Sequence, residues 1–534
     1  MRRTTFMVIA LAVTWGGCRA ADDGNRILIG EASDFGALLP IIRNTALDGE
    51  LNELLYLSLS SARWESGALR FQADDLSLAE RWELGSDSTV LTYHLRGDAV
   101  WSDGEPLDAS DVVFTFELLR RPEVGSLYQH RWEQIDSVVM RSAHEVAFYF
   151  KRRYPGMLRD TRIGIVPEHV FAATVADGSP LVSHPTLLDP AGVLVVSGPF
   201  RVAEWRRGER LVLEPNPRAF TTQPQIETIV FRVIPDMTTR LVELLNGNID
   251  VYDLGGPLPD ARAEALAGRD LRVETIEDRY YDFIALNGAR FEPFRDPLIR
   301  MAVSIAIDRQ TILDGLGIAA YARPAAGPYP PIFGELADPS LNPDGYFPDM
   351  ARAILTAQGW SDSDGDGVLD RNGTPFVFTL LTQSGNERRT SAAEIIQEQL
   401  ARVGIHMEVR ALEFNTLLGR VFDEGEYEAA LLGWQVPLEP EYLAINFWPA
   451  DGPINITGYS SAVLDSVIQM ARAASSIEQA TPHWRAAAEI IAADRPFAFL
   501  WYFDDVVLLS ERVKGVRIDT YGVYQNLHEW RLEH

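Results

Sequence analysis

The chain's best match to a metal-binding spacing is SDSDGDGVLDRNG. There Asp362, Asp364, Asp366 and Asp370 occupy loop positions one, three, five and nine, with Gly367 at six. Calcium calls for oxygen ligands that converge around a sharply turned backbone. Position twelve is Gly373, so the bidentate glutamate that completes an EF-hand is missing. A structural calcium is therefore the most this loop can hold, and no other cofactor is expected. Catalytic signatures are absent: no Gly-x-Ser-x-Gly, no His-Glu-x-x-His and no phosphate loop ending in Gly-Lys-Ser/Thr. The single cysteine, Cys18, excludes thiolate zinc sites, redox pairs and any intramolecular disulfide. The nine histidines form no i, i+4 pair. Gly315-Leu316-Gly317-Ile318-Ala319-Ala320 fits a dinucleotide fingerprint in letters, but it follows a helical pattern and reads as a helix C-terminus. A hydrolase working through Asp/Glu pairs is a distant alternative, because carboxylates meet by chance in a chain of net charge −28.

The elements that would position a site alternate between strand and helix. In VLTYHLR, Leu91, Tyr93 and Leu95 share one face, the period-two mark of a half-buried strand. Asp103-Gly104 is a turn, and Asp108 with Asp111 caps a helix that begins VVFTF. SGPFRVAEWRRGERLVLEPNP predicts a hairpin turned at Arg207-Gly208-Glu209. Asp236 or Thr238 caps a helix ending at Asn246-Gly247, and NIDVYDL is a strand. Asp296 and Pro297 open a helix, Gly404 closes another, and FAFLWYF is a strand.

Leu78–Leu118, with its Trp-Glu pair, its VLTYHLR strand, its Asp-Gly turn and its Asp-Val-Val-Phe helix, closely resembles the signature region of the extracellular solute-binding proteins of family 5. The Gly-Pro-Phe hairpin ending in Asn-Pro, NIDVYDL, the Asn287 region with its following helix, and NITGYS resemble further family elements in the correct order. The resemblance implies an α/β, two-lobed periplasmic-binding-protein fold (type II, cluster C-like), with mixed sheets flanked by helices and an extra N-terminal subdomain. It places a signal peptide at 1–17, lobe I at 18–279 with the extra subdomain at about 60–175, lobe II at 280–500, and a return to lobe I at 501–534. Peptide-binding members carry a Gly-Trp pair at the cleft, followed by an aspartate that meets the peptide's α-ammonium. Here Gly433-Trp434 and Glu439-Pro440 are present, but Gln435-Val436-Pro437-Leu438 stands between them and the aspartate is absent. The ligand-binding residues implied are Trp434, Glu439, Gln383, Tyr459, Asn455 and Asn287.

At 534 residues, with 46% hydrophobic and 23% charged residues, the chain predicts two or three folded domains. Its acidity argues against nucleic acid. Arg2-Arg3 before FMVIALAVTW is an export signal, too short to remain as a spanning helix. Gly16-Gly17-Cys18 resembles a lipobox, which implies lipidation of Cys18, although Trp15 departs from the usual small apolar residue. The expectation is a monomeric protein in the periplasm or on the outer face of the cell membrane, touching the membrane only through its lipid anchor. Its partners would be a peptide or other small polar solute and the permease subunits of an ABC importer. A non-peptide solute (metal chelate or oligosaccharide) and a ligand-sensor role stay open.

Overall fold

The computed structural model describes residues 25–533 apart from residues 43–44, 66, 87, 127, 267, 449–451 and 453. Cys18 and the export signal lie outside the described residues. The architecture is mixed α/β, built on an 11-stranded sheet. Its strands run in the order His406–Leu412, Val377–Gln383, Ala429–Gln435, Leu271–Leu286, Phe497–Ser510, Val251–Asp253, Arg26–Glu31, Thr228–Val233, Arg210–Pro215 and Phe200–Arg206; Ala322–Pro324 is added alongside Phe497–Ser510.

Two long strands, Leu271–Leu286 and Phe497–Ser510, run through both halves and pair antiparallel with each other. Phe497–Ser510 reads FAFLWYFDDVVLLS and is buried almost throughout, as a run with no polar face must be. Its residues feed four separate apolar cores. Val507 and Leu509 join the core of the first half, and Val506 and Leu508 join a smaller core on the opposite face. Further back along the strand, Ala498, Leu500, Trp501 and Phe503 enter one core of the second half, whereas Phe497, Phe499 and Tyr502 enter the other. The alternation slips at Leu500, an extra residue between the pairs Phe283–Phe499 and Asp282–Trp501. That bulge brings the Trp501 indole N–H to within 3.0 Å of the Asp282 carboxylate.

A second irregularity lies between the halves. Ile276 opposes Asp505 and Tyr280 opposes Phe503, so three residues bulge out against one. The expected lobe boundaries at 279/280 and 500/501 fall inside these two strands. The first half also carries a four-stranded sheet (order Ala79–Leu84, Val90–Leu95, Glu145–Phe150, Ile135–Ser142) covered by the helix Ala109–Leu119. Asp108 caps this helix in a capping box with Asp111. The buried Asp111 side chain also accepts bonds from the Trp101 indole N–H and the Glu168 backbone N–H. The signature segment is therefore packing and capping chemistry. A hairpin, Ser61–Glu65 with Ala68–Gln72, reaches out to put Trp64 edge-on against Phe333 of the second half, centroids 5.7 Å apart.

Candidate functional site

Between the halves lies a cavity of about 610 Å³. The parallel strands Arg26–Glu31 and Val251–Asp253 end at it, and open α/β sheets place ligands at the carboxyl ends of their strands. Glu31 and Asp253 occupy these ends, Glu50 and Glu53 come from the helix Ala46–Leu55, and Asp505 comes from the second crossing strand. Segment 519–525 closes the wall with Tyr521 and Tyr524.

The carboxylates on this wall are crowded. The Tyr524 hydroxyl donates to Glu31, and the backbone N–H groups of Val523 and Tyr524 donate to Glu50 at 2.8 and 2.9 Å. Asp253 and Asp505 hydrogen-bond to each other, with Gly255 and Gly256 N–H groups donating to them. Burial pushes the Glu31 carboxyl up to about 8 against the lowering pull of Tyr524, and the neighbouring Asp253 and Glu50 add to the rise. Burial likewise raises Glu50 to about 7, and raises Asp253 as well. Among the described residues, no guanidinium or ammonium stands within ion-pair distance of Glu31, Glu50 or Asp253.

The opposite side is cationic but already paired. Arg162 meets Glu53 at 2.8 Å; Arg159 meets Asp160 at 2.8 Å and, across the lobes, Glu441 at 3.0 Å. Arg131 donates to the carbonyls of Arg159 and Arg162, and burial lowers its guanidinium from the usual value. Arg279, in the bulge between the halves, donates to the Thr520 carbonyl on one side and the Val436 carbonyl on the other. It thus ties the tail to the second half at the floor of the cavity.

A second cavity of about 600 Å³ adjoins the first, sharing Leu69, Phe71, Arg159, Leu438 and Glu439 as lining. Tyr154, Leu158, Phe333, Leu336, Ile477 and Trp484 make much of its remaining wall apolar.

Of the six residues expected at the ligand, Glu439 alone is among the described lining residues of the two cavities. Trp434 is half-buried beside Phe422, ring centroids 6.3 Å apart, with a buried indole N–H that has no partner. Gln383 accepts a bond from Arg389. The remaining three brace loops by their bonds and line neither cavity. Asn287 Nδ2 donates to the Tyr427 carbonyl at 2.9 Å, Asn455 Nδ2 to the Tyr459 carbonyl at 2.9 Å, and the Tyr459 hydroxyl to Asp494. All three are buried. Gly433 does have a visible reason: a Cβ there would lie 1.9 Å from a guanidinium nitrogen of Arg389 and 2.5 Å from Asp282 Oδ1. Asp282 is fully buried and accepts from Arg388, Arg389 and Trp501 at 3.0–3.1 Å; the two guanidiniums overcome burial and hold it below the usual carboxylate range.

The arginines and the carboxylate wall were not anticipated. Only Glu31, a charge ending the apolar strand RILIGE, leaves a trace in the sequence. In the aspartate loop, the carboxylates of Asp362, Asp364 and Asp366 lie within 4.8 Å of one another, all exposed. Asp370 does not join them, a correction to the four-ligand expectation: it accepts the N–H and hydroxyl of Ser363 at 2.9 and 2.6 Å. The other three accept backbone N–H groups within the loop.

The family model for bacterial extracellular solute-binding proteins, family 5 (middle region), matches residues 76–453, and the chain belongs to that family. It is 28% identical over 470 residues to the oligopeptide-binding protein AppA of Bacillus subtilis (strain 168), covering 86% of this chain and 83% of the relative. The structure of that protein in complex with a nonapeptide superposes with a TM-score of 0.79 at 24% identity, covering 95% of this chain and 99% of that one. NikZ from Campylobacter jejuni in complex with Ni(L-His) superposes with a TM-score of 0.81 at 22% identity, covering 95% and 99%. Both neighbours share the two-lobed fold. Among the described residues no helix is long and apolar enough to cross a membrane.

Proposed function

We propose that this member of the family-5 solute-binding proteins is the extracytoplasmic component of an ABC importer, holding an oligopeptide-like ligand between its lobes and passing it to the permease subunits. The observation that carries this reading is the 610 Å³ cavity, whose wall draws on both halves, on both crossing strands and on the bulge between them. A ligand there touches both lobes at once and favours the closed arrangement by contacts the open one lacks. An extended peptide suits such a crevice because its main chain supplies donors and acceptors whatever its side chains are.

The protein is read as a binder without turnover because the relative and the solved neighbours it matches are binding proteins. It works as a monomer, tethered through a lipid on Cys18 in the periplasm. A metal chelate is the second reading, favoured by the four arginines Arg131, Arg159, Arg162 and Arg279 in the wall. It is the weaker one, because Arg159 and Arg162 already hold carboxylates. The test is native mass spectrometry of protein purified without denaturation, followed by calorimetry with the released cargo. A peptide bound at about micromolar Kd, near −8 kcal/mol, is expected. Cargo that is a chelate, or peptide cleavage by the pure protein, would overturn the proposal.

A further inference from the structure

Resting on that reading, we infer that the ligand is a peptide with a cationic group seated against Glu31, Glu50 and Asp253, and an apolar segment extending into the adjoining second cavity. The first half of this inference rests on charge balance. Glu31 is 8% exposed and lines the cavity, yet no guanidinium or ammonium among the described residues pairs with it, Glu50 or Asp253. On the facing wall Arg159 and Arg162 are engaged with Asp160, Glu441 and Glu53, and Arg131 and Arg279 donate to backbone carbonyls. A buried carboxylate with no ion-paired partner is costly, so the retention of Glu31, with half-buried Glu50 and Asp253 beside it, around a ligand-sized space points to a cation that arrives with the ligand. Thr520, on the same wall, is 5% exposed and its buried hydroxyl has no partner, a further polar atom left for an incoming group. The groups facing the cluster are Tyr524 from the tail, Asp505 from the crossing strand, Glu53 one helical turn from Glu50, and Arg240 from the helix Met237–Leu245. Arg240, itself buried, stacks over the Tyr252 ring; its charge draws on Glu31 and Asp253 from a distance, but it forms no ion pair with any of the three carboxylates and does not offset their burial.

The second half rests on continuity. Leu69 and Phe71 of the projecting hairpin and Leu438 of the second half belong to both cavities, so one elongated ligand can occupy the two. Beyond that neck the wall offers Leu158, Leu336, Ile477 and Trp484, a surface for apolar side chains.

Calorimetry on the full-length protein tests both halves with four C-terminally amidated peptides: Arg-Gly-Leu-Phe-Ala, its N-acetyl-citrulline analogue (neutral), its N-acetyl-glutamate analogue (anionic) and a version with Ser for Leu and Phe. Expected is binding at least tenfold tighter for the cationic peptide than for the neutral one, and weakest binding for the anionic one. In Glu31→Gln/Glu50→Gln the ratio of cationic to neutral affinity falls to near one. The cationic peptide also releases protons at pH 7, read from heats in two buffers, and the double variant releases fewer. Thr481→Trp, which fills a half-buried position in the second cavity, weakens Arg-Gly-Leu-Phe-Ala about tenfold and leaves the Ser version unchanged. Equal affinity for cationic and neutral peptides, or a preference that survives in the double variant, overturns this inference and leaves the proposed function standing. Failure of every peptide to bind overturns both.

Discussion

Asp282→Asn puts the closest-knit charge cluster of the second half to the test. Asp282 has no exposed surface and holds two guanidiniums, Arg388 and Arg389, whose side chains are themselves 19% and 11% exposed. Removing the negative charge strands two largely buried cations against each other, which typically costs about 3–5 kcal/mol. The loss falls on the second half, about 220 residues, where each kcal/mol moves the melting midpoint by about 2–4 °C. The expected fall is therefore roughly 6–20 °C, read by differential scanning calorimetry at pH 7 as an earlier transition in one part of the trace. The sign with pH follows from the depressed carboxyl. The wild-type advantage is present above the unfolded aspartate's pKa, about 3.9, and is lost as pH falls through the lower folded value. The gap between the two proteins should therefore narrow only in acid. A variant melting within about 2 °C of wild type at pH 7 would refute the reasoning, because it would mean the arginines do not depend on Asp282.

Trp64→Ala removes the edge contact with Phe333 that joins the lobes, worth about 0.5–1.5 kcal/mol; ligand Kd should rise roughly 2- to 13-fold by calorimetry with the thermal midpoint nearly unchanged. Glu31→Gln should flatten the pH dependence of ligand-free stability. A carboxyl raised to about 8 contributes stability that is full below about pH 4.5 and lost as pH rises through 8, a total change on the order of 5 kcal/mol that the variant should lack in denaturant titrations. Trp434→Ala should cost about 3 kcal/mol of stability while changing Kd less than threefold, since the ring packs beside Phe422 and does not line either cavity; a large loss of affinity at constant stability would reverse that placement.

Local chemistry was legible in the sequence. Asp108, Asp236 and Asp296 cap the helices they were read to cap, Gly404 ends a helix with φ +84°, and the hairpin turns at Gly208 with φ +74°. These features depend on neighbours within a few residues, which is what a sequence pattern records. The cavity depends on residues far apart. Glu31 meets Tyr524, Arg279 meets Thr520, and Arg159 meets Glu441, and no local period brings those pairs together. The loop Asn455–Tyr459 shows another limit: an asparagine that braces a turn and one that grips a ligand have the same letters, and the bond Asn455 makes to the Tyr459 carbonyl is not written in them. Gly433 stands between these cases, since its place beside Trp434 was visible but the guanidinium that crowds a Cβ there comes from the helix Glu387–Ala401, far along the chain from its own strand.

The bond between Tyr524 and Glu31 joins positions 493 residues apart. A receptor closed by such a span has no partial form: a chain emerging from a ribosome or translocase has one face of the chamber long before the other exists. It therefore stays empty-handed until nearly everything has been made and folded. Any solute it carries was acquired after that moment, in the compartment where folding finished.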